Sequence, residues 1–206
     1  MSSLVRRWGS AMRAAMPQQS LMPVGLPAGR RTPRGRSRWY LVHAPEGMER
    51  STCEKLRRII PANVLSDAFV LSKERWAKRS GAWRLETVPM YREHFFVETG
   101  DVRALNNALQ KLSFHVDLVG ARERACTPLA DDTRAFFERI AGPQHVIHNS
   151  VGVIEDGELR VFEGPLVGQE RRVVKVDRHK RRCWASVGEP GDDFLETLPL
   201  EVPCKS

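Results

Sequence analysis

The stretch GELRVFEGPLVGQERRVVKVDRHKRRCWASV, residues 157–187, reads as three short strands. Leu159 and Val161 alternate with Glu158, Arg160 and Phe162, and the run EGPLVG then turns the chain. Residues 172–176 extend again, and a tight basic turn, DRHKR, leads into CWASV. Period-two alternation bounded by Gly and Pro marks strands of a small barrel or sandwich, because successive side chains of a strand point to opposite faces. Residues 160–182 carry eight basic residues against three acids, so one edge of this module should be electropositive. Pattern alone leaves two readings of that charge open: the solvated face of an ordinary small β-barrel, or a surface that meets nucleic acid.

The same run resembles the KOW motif of NusG-type transcription factors. In that motif a Gly-Pro-(apolar)-x-Gly turn precedes a strand and an Asp-x-x-(basic) hairpin. Here those features are Gly164, Pro165, Leu166 and Gly168, then Val174 and Val176, then Asp177, Arg178, His179, Lys180 and Arg181. The string VDRHKR is most similar to the LoaP-type specialised NusG paralogs. Arg171 stands where the motif usually has a glycine, which puts the close packing of that position in question.

Charge points elsewhere once it is located. The chain has 206 residues, 33 Lys and Arg against 25 Asp and Glu, and a formal net charge of +8. Residues 1–38 contain Arg6, Arg7, Arg13, Arg30, Arg31, Arg34, Arg36 and Arg38 and no acid; taking those eight from the 33 leaves 25 basic residues against 25 acidic. The remainder is neutral, so any nucleic-acid contact there depends on local patches. Hydrophobic content of 41% suffices for packed cores, and no run approaches the ~18 apolar residues of a membrane span. Cys53, Cys126, Cys183 and Cys204 lack CxxC spacing, which argues against a zinc ribbon and fits reduced thiols in a cytosol.

Taken in order, residues 1–37 read as a disordered basic extension rich in Arg, Ser, Pro and Gly. An organellar transit peptide, a mis-assigned start and a basic tail that brushes nucleic acid all fit that composition. WYLVH (residues 39–43) is a short buried strand, and residues 46–60 form an amphipathic helix that Pro61 ends. Residues 64–73 extend, KERWAKRSG is a basic loop, and residues 82–91 and 94–99 are two further strands. Asp101 caps a helix over residues 102–112, residues 113–119 are a strand, and a helix over 133–140 has Asp131 and Asp132 at its start. Residues 141–151, AGPQHVIHNSV, lack a clear period and form the linker. After the turn-rich GEPGDD, residues 194–198 and 200–202 close the second module. The fold class is α+β.

The first module, residues 38–140, resembles the NusG N-terminal domain. WYLVH matches the family's opening strand, and PMYREHFFV (residues 89–97) occupies the place of its Pro-Leu-Phe-Pro-Gly-Tyr-Val-Phe-Val segment. Thr127, Pro128 and Leu129 before an acidic helix start match a third landmark. The resemblance implies an antiparallel sheet with flanking helices, followed over residues 152–206 by an SH3-like β-barrel.

No GxSxG, phosphate-cradling glycine loop or HExxH occurs, so neither an enzyme nor a cofactor is expected. His145 and His148 lie in the linker with no acidic or Cys partner nearby in sequence, so no metal site is expected either. By resemblance, the RNA polymerase clamp helices would be met by Met90 and Tyr91, with His94, Phe95 and Phe96 nearby. Phe95 and Val97 read rather as core residues, leaving Tyr91 and whichever of His94 and Phe96 faces outward. Arg92 and Glu93 replace the family's Pro-Gly, removing one preset φ and one freely positive φ. A second group, Lys73, Arg75, Lys78, Arg79 and Arg84, interleaves with Trp76 and Trp83. It offers phosphate contacts and stacking surface for unpaired bases, or else a solvated hairpin loop. The resemblance implies a monomeric cytoplasmic antitermination factor recruited to one operon by nascent RNA, such as a hairpin, with ribosome or Rho as partners of the KOW module. A housekeeping NusG and a ribosome-associated KOW protein are the competing implications.

Overall fold

A computed structural model describes residues 36–121, 126–188 and 194–203. The expected disordered extension lies outside these residues except for Arg36 and Ser37, as do most of GEPGDD and Cys204.

The chain runs β1 (Arg38–His43), α1 (Glu49–Ile59), β2 (Asp67–Phe69), β3 (Ser72–Arg79), β4 (Ala82–Pro89), β5 (His94–Thr99), α2 (Val102–Leu109), β6 (Asp117–Leu118) and α3 (Asp131–Ala141). It continues through β7 (Val146–Ile147), β8 (Ser150–Glu155), β9 (Glu158–Glu163), a 3-10 turn (Glu170–Arg172), β10 (Val173–Asp177), β11 (Arg182–Ser186) and β12 (Leu195–Glu201). The fold is α+β.

An antiparallel sheet in the order β2-β5-β1-β6 forms the first lobe. Its register sets Leu41 opposite Phe96 and Val42 opposite Phe95. Strand alternation therefore splits its aromatics between two cores. Tyr40, Val42, Phe95 and Val97 pack under α1 and α2 with Cys53, Leu56, Leu105 and Leu109. Trp39, Leu41 and Phe96 join Phe136, Phe137 and Ile140 of α3 on the other face. That second core continues into Leu166, Cys183, Ala185, Leu198 and Leu200, so the two lobes share one apolar interior.

Helix ends follow their local chemistry. Asp101 accepts from the amides of Arg103 and Ala104 at 3.1 and 3.0 Å and starts α2, as its side chain predicts. Ile60 is extended, at φ −91° and ψ 128°, because the ring of Pro61 disfavours helical geometry before it. Asp131 and Asp132 lie in the first turn of α3, where their charge complements the helix dipole, but Ala130 precedes the helix without a side-chain cap.

Several expectations are corrected. Residues 73–81 are not a loop: β3 pairs with β4 along its whole length, closed by a two-residue turn with Ser80 at φ 48° and Gly81 at φ 84°. Two positive φ values define the type I′ turn, whose twist suits a hairpin. The linker, residues 141–151, also holds structure: β7 pairs in parallel with β3, and β8 begins at Ser150. The strand expected over residues 113–119 shrinks to Asp117–Leu118. The two strands expected over residues 194–198 and 200–202 are one, β12 (Leu195–Glu201), in which Pro199 sits opposite Arg182.

The second lobe is a five-stranded sheet in the order β10-β11-β12-β8-β9. It stays open, with β9 and β10 as its edges, rather than closing as a barrel. Irregular register at Val151/Gly152 and at Val173/Lys175 interrupts the ladders beside both edges, and such bulges bend and twist a sheet. Gly164 has φ 90°, and a Cβ there would lie 2.5 Å from the Asn149 carbonyl oxygen, so only glycine fits. Arg171 is exposed in the 3-10 turn and takes no positive φ, so that position makes no demand for glycine.

Candidate nucleic-acid interface

Within the β3–β4 hairpin, Trp76 opposes Leu85 and Lys78 opposes Trp83. The two tryptophans are thus diagonal neighbours on one face, within reach of the same third group. That group is Arg181, at the end of the basic turn between β10 and β11. Its guanidinium lies 4.5 Å from the Trp76 ring centre and 5.3 Å from that of Trp83. Nη1 of Arg181 also pairs with Glu201 at 3.0 Å. Arg181 itself has φ 47°, a conformation unusual for a long side chain. The turn is tightened by Asp177, which accepts from the Lys180 amide at 3.1 Å. Desolvation acts to raise the Asp177 carboxyl, but the Lys180 amide together with Arg182 and Lys180 holds it below its ordinary value.

Polar contacts seat the hairpin on the second lobe. Trp76 Nε1 donates to Asn149 Oδ1 at 3.0 Å, and Glu74 accepts from the Asn149 amide at 2.6 Å. Lys73 Nζ donates to the Thr197 carbonyl. On the β4 side, the hydrogen bond from Arg79, with Arg75 beside it, holds the Glu86 carboxyl below its usual range. Lower down, Arg172 Nη2 meets Asp132 of α3 at 3.0 Å, and its guanidinium lies 4.7 Å from the Phe136 ring centre.

Between the two lobes these residues enclose a cleft of about 500 Å³. Its walls carry Trp76, Trp83, Arg75, Arg92, Lys180 and Arg181, and Glu74 is its one carboxylate. Sequence reasoning put Lys73 with the exposed cations. The structure corrects this: burial lowers its ammonium pKa, and the Thr197 carbonyl occupies it. Arg75, Lys78, Arg79 and Arg84 remain exposed, and Trp76 is half-buried. Gly164, Pro165 and Gly168 shape the turn behind β9, away from the residues that line the cleft.

The polymerase group divides differently from the expectation. Tyr91, His94, Phe95 and Phe96 are all buried, with 3%, 5%, 1% and 1% of their surface exposed. β5 is an inner strand with both faces covered, so the outward member sought among His94 and Phe96 does not exist. Met90 is half-buried, and Arg92 is exposed, 3.6 Å from Glu46. Glu93 takes the left-handed conformation that a glycine adopts freely, at φ 60°.

His145 and His148 gain acidic neighbours from distant parts of the chain: Asp67 at 3.8 Å and Glu74 at 3.1 Å. Both acids arrive from other strands. Among the described residues, no group of three or more His, Cys, Asp or Glu side chains could hold a metal ion. Asn149, Thr197 and Arg172 escaped sequence reasoning, since nothing in their local pattern distinguishes them. No helix among the described residues is long and apolar enough to cross a membrane. No protein-family model and no curated protein matches this chain.

Proposed function

We propose that this chain is a specialised NusG-type transcription factor that binds RNA polymerase and promotes processive elongation and antitermination of a target operon, recruited by an RNA element. One observation carries the reading: two basic segments far apart in sequence, the β3–β4 hairpin and the DRHKR turn, converge on a tryptophan pair. Cations beside exposed aromatic rings are the chemistry of contact with unpaired nucleic acid. The resemblances of residues 38–43, 89–97 and 164–181 supply the transcriptional context. In this reading the protein performs no bond chemistry and lives in the cytoplasm with its polymerase. The polymerase contact moves to Met90 and Arg92, because the aromatics behind them belong to the core.

The test is retention of RNA polymerase, rather than ribosomal subunits, by the full chain. Met90→Ala combined with Arg92→Gln should weaken retention. RNA ends mapped with and without the protein should show readthrough lost over one operon. Replacing Arg75, Lys78, Arg79 and Arg84 with Gln should reduce the salt slope of hairpin-RNA binding by about 0.7–0.9 for each phosphate contact removed. Retention of ribosomal subunits alone would overturn the proposal.

A further inference from the structure

We infer that the cleft between the β3–β4 hairpin and the β10–β11 turn is a stacking site for an unpaired oligonucleotide, and that Arg181 occupies the tryptophan platform until a base displaces it. The inference rests on the nucleic-acid part of the function proposed above and assigns it to particular side chains.

Three observations lead there. Trp83 keeps 36% of its surface exposed in the hairpin even with the Arg181 guanidinium 5.3 Å from its ring centre. The cleft wall carries Arg75, Arg92, Lys180 and Arg182. The first, second and fourth have only long pairs, at 3.4, 3.6 and 3.5 Å, with Glu86, Glu46 and Asp177 outside the lining. Glu74, the one carboxylate in the wall, is engaged by the Asn149 amide and His148. A space of about 500 Å³ so charged suits an anion carrying an aromatic ring.

The guanidinium of Arg181 lies against both rings, in the place a base would take. A base stacked on an indole holds more strongly than a partly solvated guanidinium does. Displacement would not expel the charge. Glu201, 3.0 Å from Nη1, keeps Arg181 anchored at the cleft edge, where it can meet the phosphate that follows the base. The exposed side chains of Lys180, Arg75 and Arg92 line the rim along which a backbone would run.

The experiment titrates the full chain with a twelve-nucleotide single-stranded RNA, its DNA counterpart, a duplex of the same sequence, and inorganic polyphosphate. Binding is read by tryptophan fluorescence and by anisotropy over a salt series. Single strands should quench the fluorescence and bind more tightly than duplex or polyphosphate. Trp83→Ala should weaken single-strand binding about ten- to a hundredfold and leave polyphosphate binding unchanged. Arg181→Lys keeps the charge but removes the planar stacking group, so single strands should bind a few-fold more tightly. Equal affinity for single strands and polyphosphate, or indifference to Trp83→Ala, would overturn the inference. So would single-strand binding weakened by Arg181→Lys. Polymerase retention measured on the same variants separates this failure from failure of the broader proposal.

Discussion

Arg172 offers the sharpest test of how the two lobes are joined. Its side chain is 26% exposed and bridges α3 to the second sheet. Nη1 donates to the Gly188 carbonyl at 3.1 Å and, at the margin, to that of Ser186 at 3.4 Å. Nη2 meets Asp132 at 3.0 Å, but Asp132 is 41% exposed, which limits that pair to at most about 1 kcal/mol. The guanidinium lies 4.7 Å from the centre of the Phe136 ring, for about 0.5–1 kcal/mol. A charged donor to a half-buried carbonyl adds on the order of 1 kcal/mol. Arg172→Ala should therefore cost about 2–3 kcal/mol, well above an ordinary surface change. Asp132→Ala should cost less than ~1 kcal/mol, and the double mutant should show a coupling no larger than that. Urea unfolding followed by tryptophan fluorescence reads all four corners of this cycle. The coupling should fade in ~1 M salt while most of the Arg172 effect persists. An Arg172→Ala cost below about 0.5 kcal/mol, or an Asp132→Ala cost equal to it, would refute the assignment of stability to Phe136 and the carbonyls.

Glu93→Gly should stabilise the protein by about 0.5–1 kcal/mol, seen as a raised Tm, since it relieves a non-glycine residue at φ 60° while the backbone bonds to Glu49 and Ala44 remain. Burial pushes the Cys53 and Cys183 thiols up to about 12. Cys126 is also raised by desolvation but is only half-buried, so a thiol reagent in native buffer should modify it slowly and leave those two untouched until the protein unfolds, as read by peptide mass mapping. His94 and His145 both have pKa values lowered by desolvation. The unfolded chain then binds more protons than the folded one, so this stability is complete above pH ~6.5 and is lost as pH falls through the folded values. Melting at pH 7 and pH 5 should show the loss, and His145→Asn, which tolerates a positive φ, should reduce it.

Punctuated segments were readable because glycine, proline and capping residues act locally. The 157–187 region resolves into β9, β10 and β11 near the places its turns imply, and Asp101 starts α2 through its own oxygen. The strand SKERWAKR was not readable. Arg75, Lys78 and Arg79 face solvent while Lys73 and Glu74 turn to Thr197 and Asn149, so no apolar period records it, and its structure comes from backbone pairing. β7 is invisible for a related reason: two residues owe their extended form to a partner 74 positions earlier, with Ser72 opposite Val146. Pro199 broke the pattern of β12 although the strand continues through it. The aromatic run Tyr91, His94, Phe95, Phe96 looked like an anchor because its composition suits one. Only the covering of both faces of β5 assigns it to the interior.

Asn149 carries a consequence for motion. It is held by Trp76 and Glu74 of β3, and the very next residue begins β8. Asn149 thus adds a direct link between the hairpin and the second sheet to those made by Lys73, by Arg181 and by the shared apolar core. A pull applied at one lobe reaches the other without slack, and the whole body should tumble in solution with one rotational correlation time. Asn149→Ala would release the Trp76 end of that link and loosen the hairpin locally, while the shared core and Arg172 keep the lobes tumbling together.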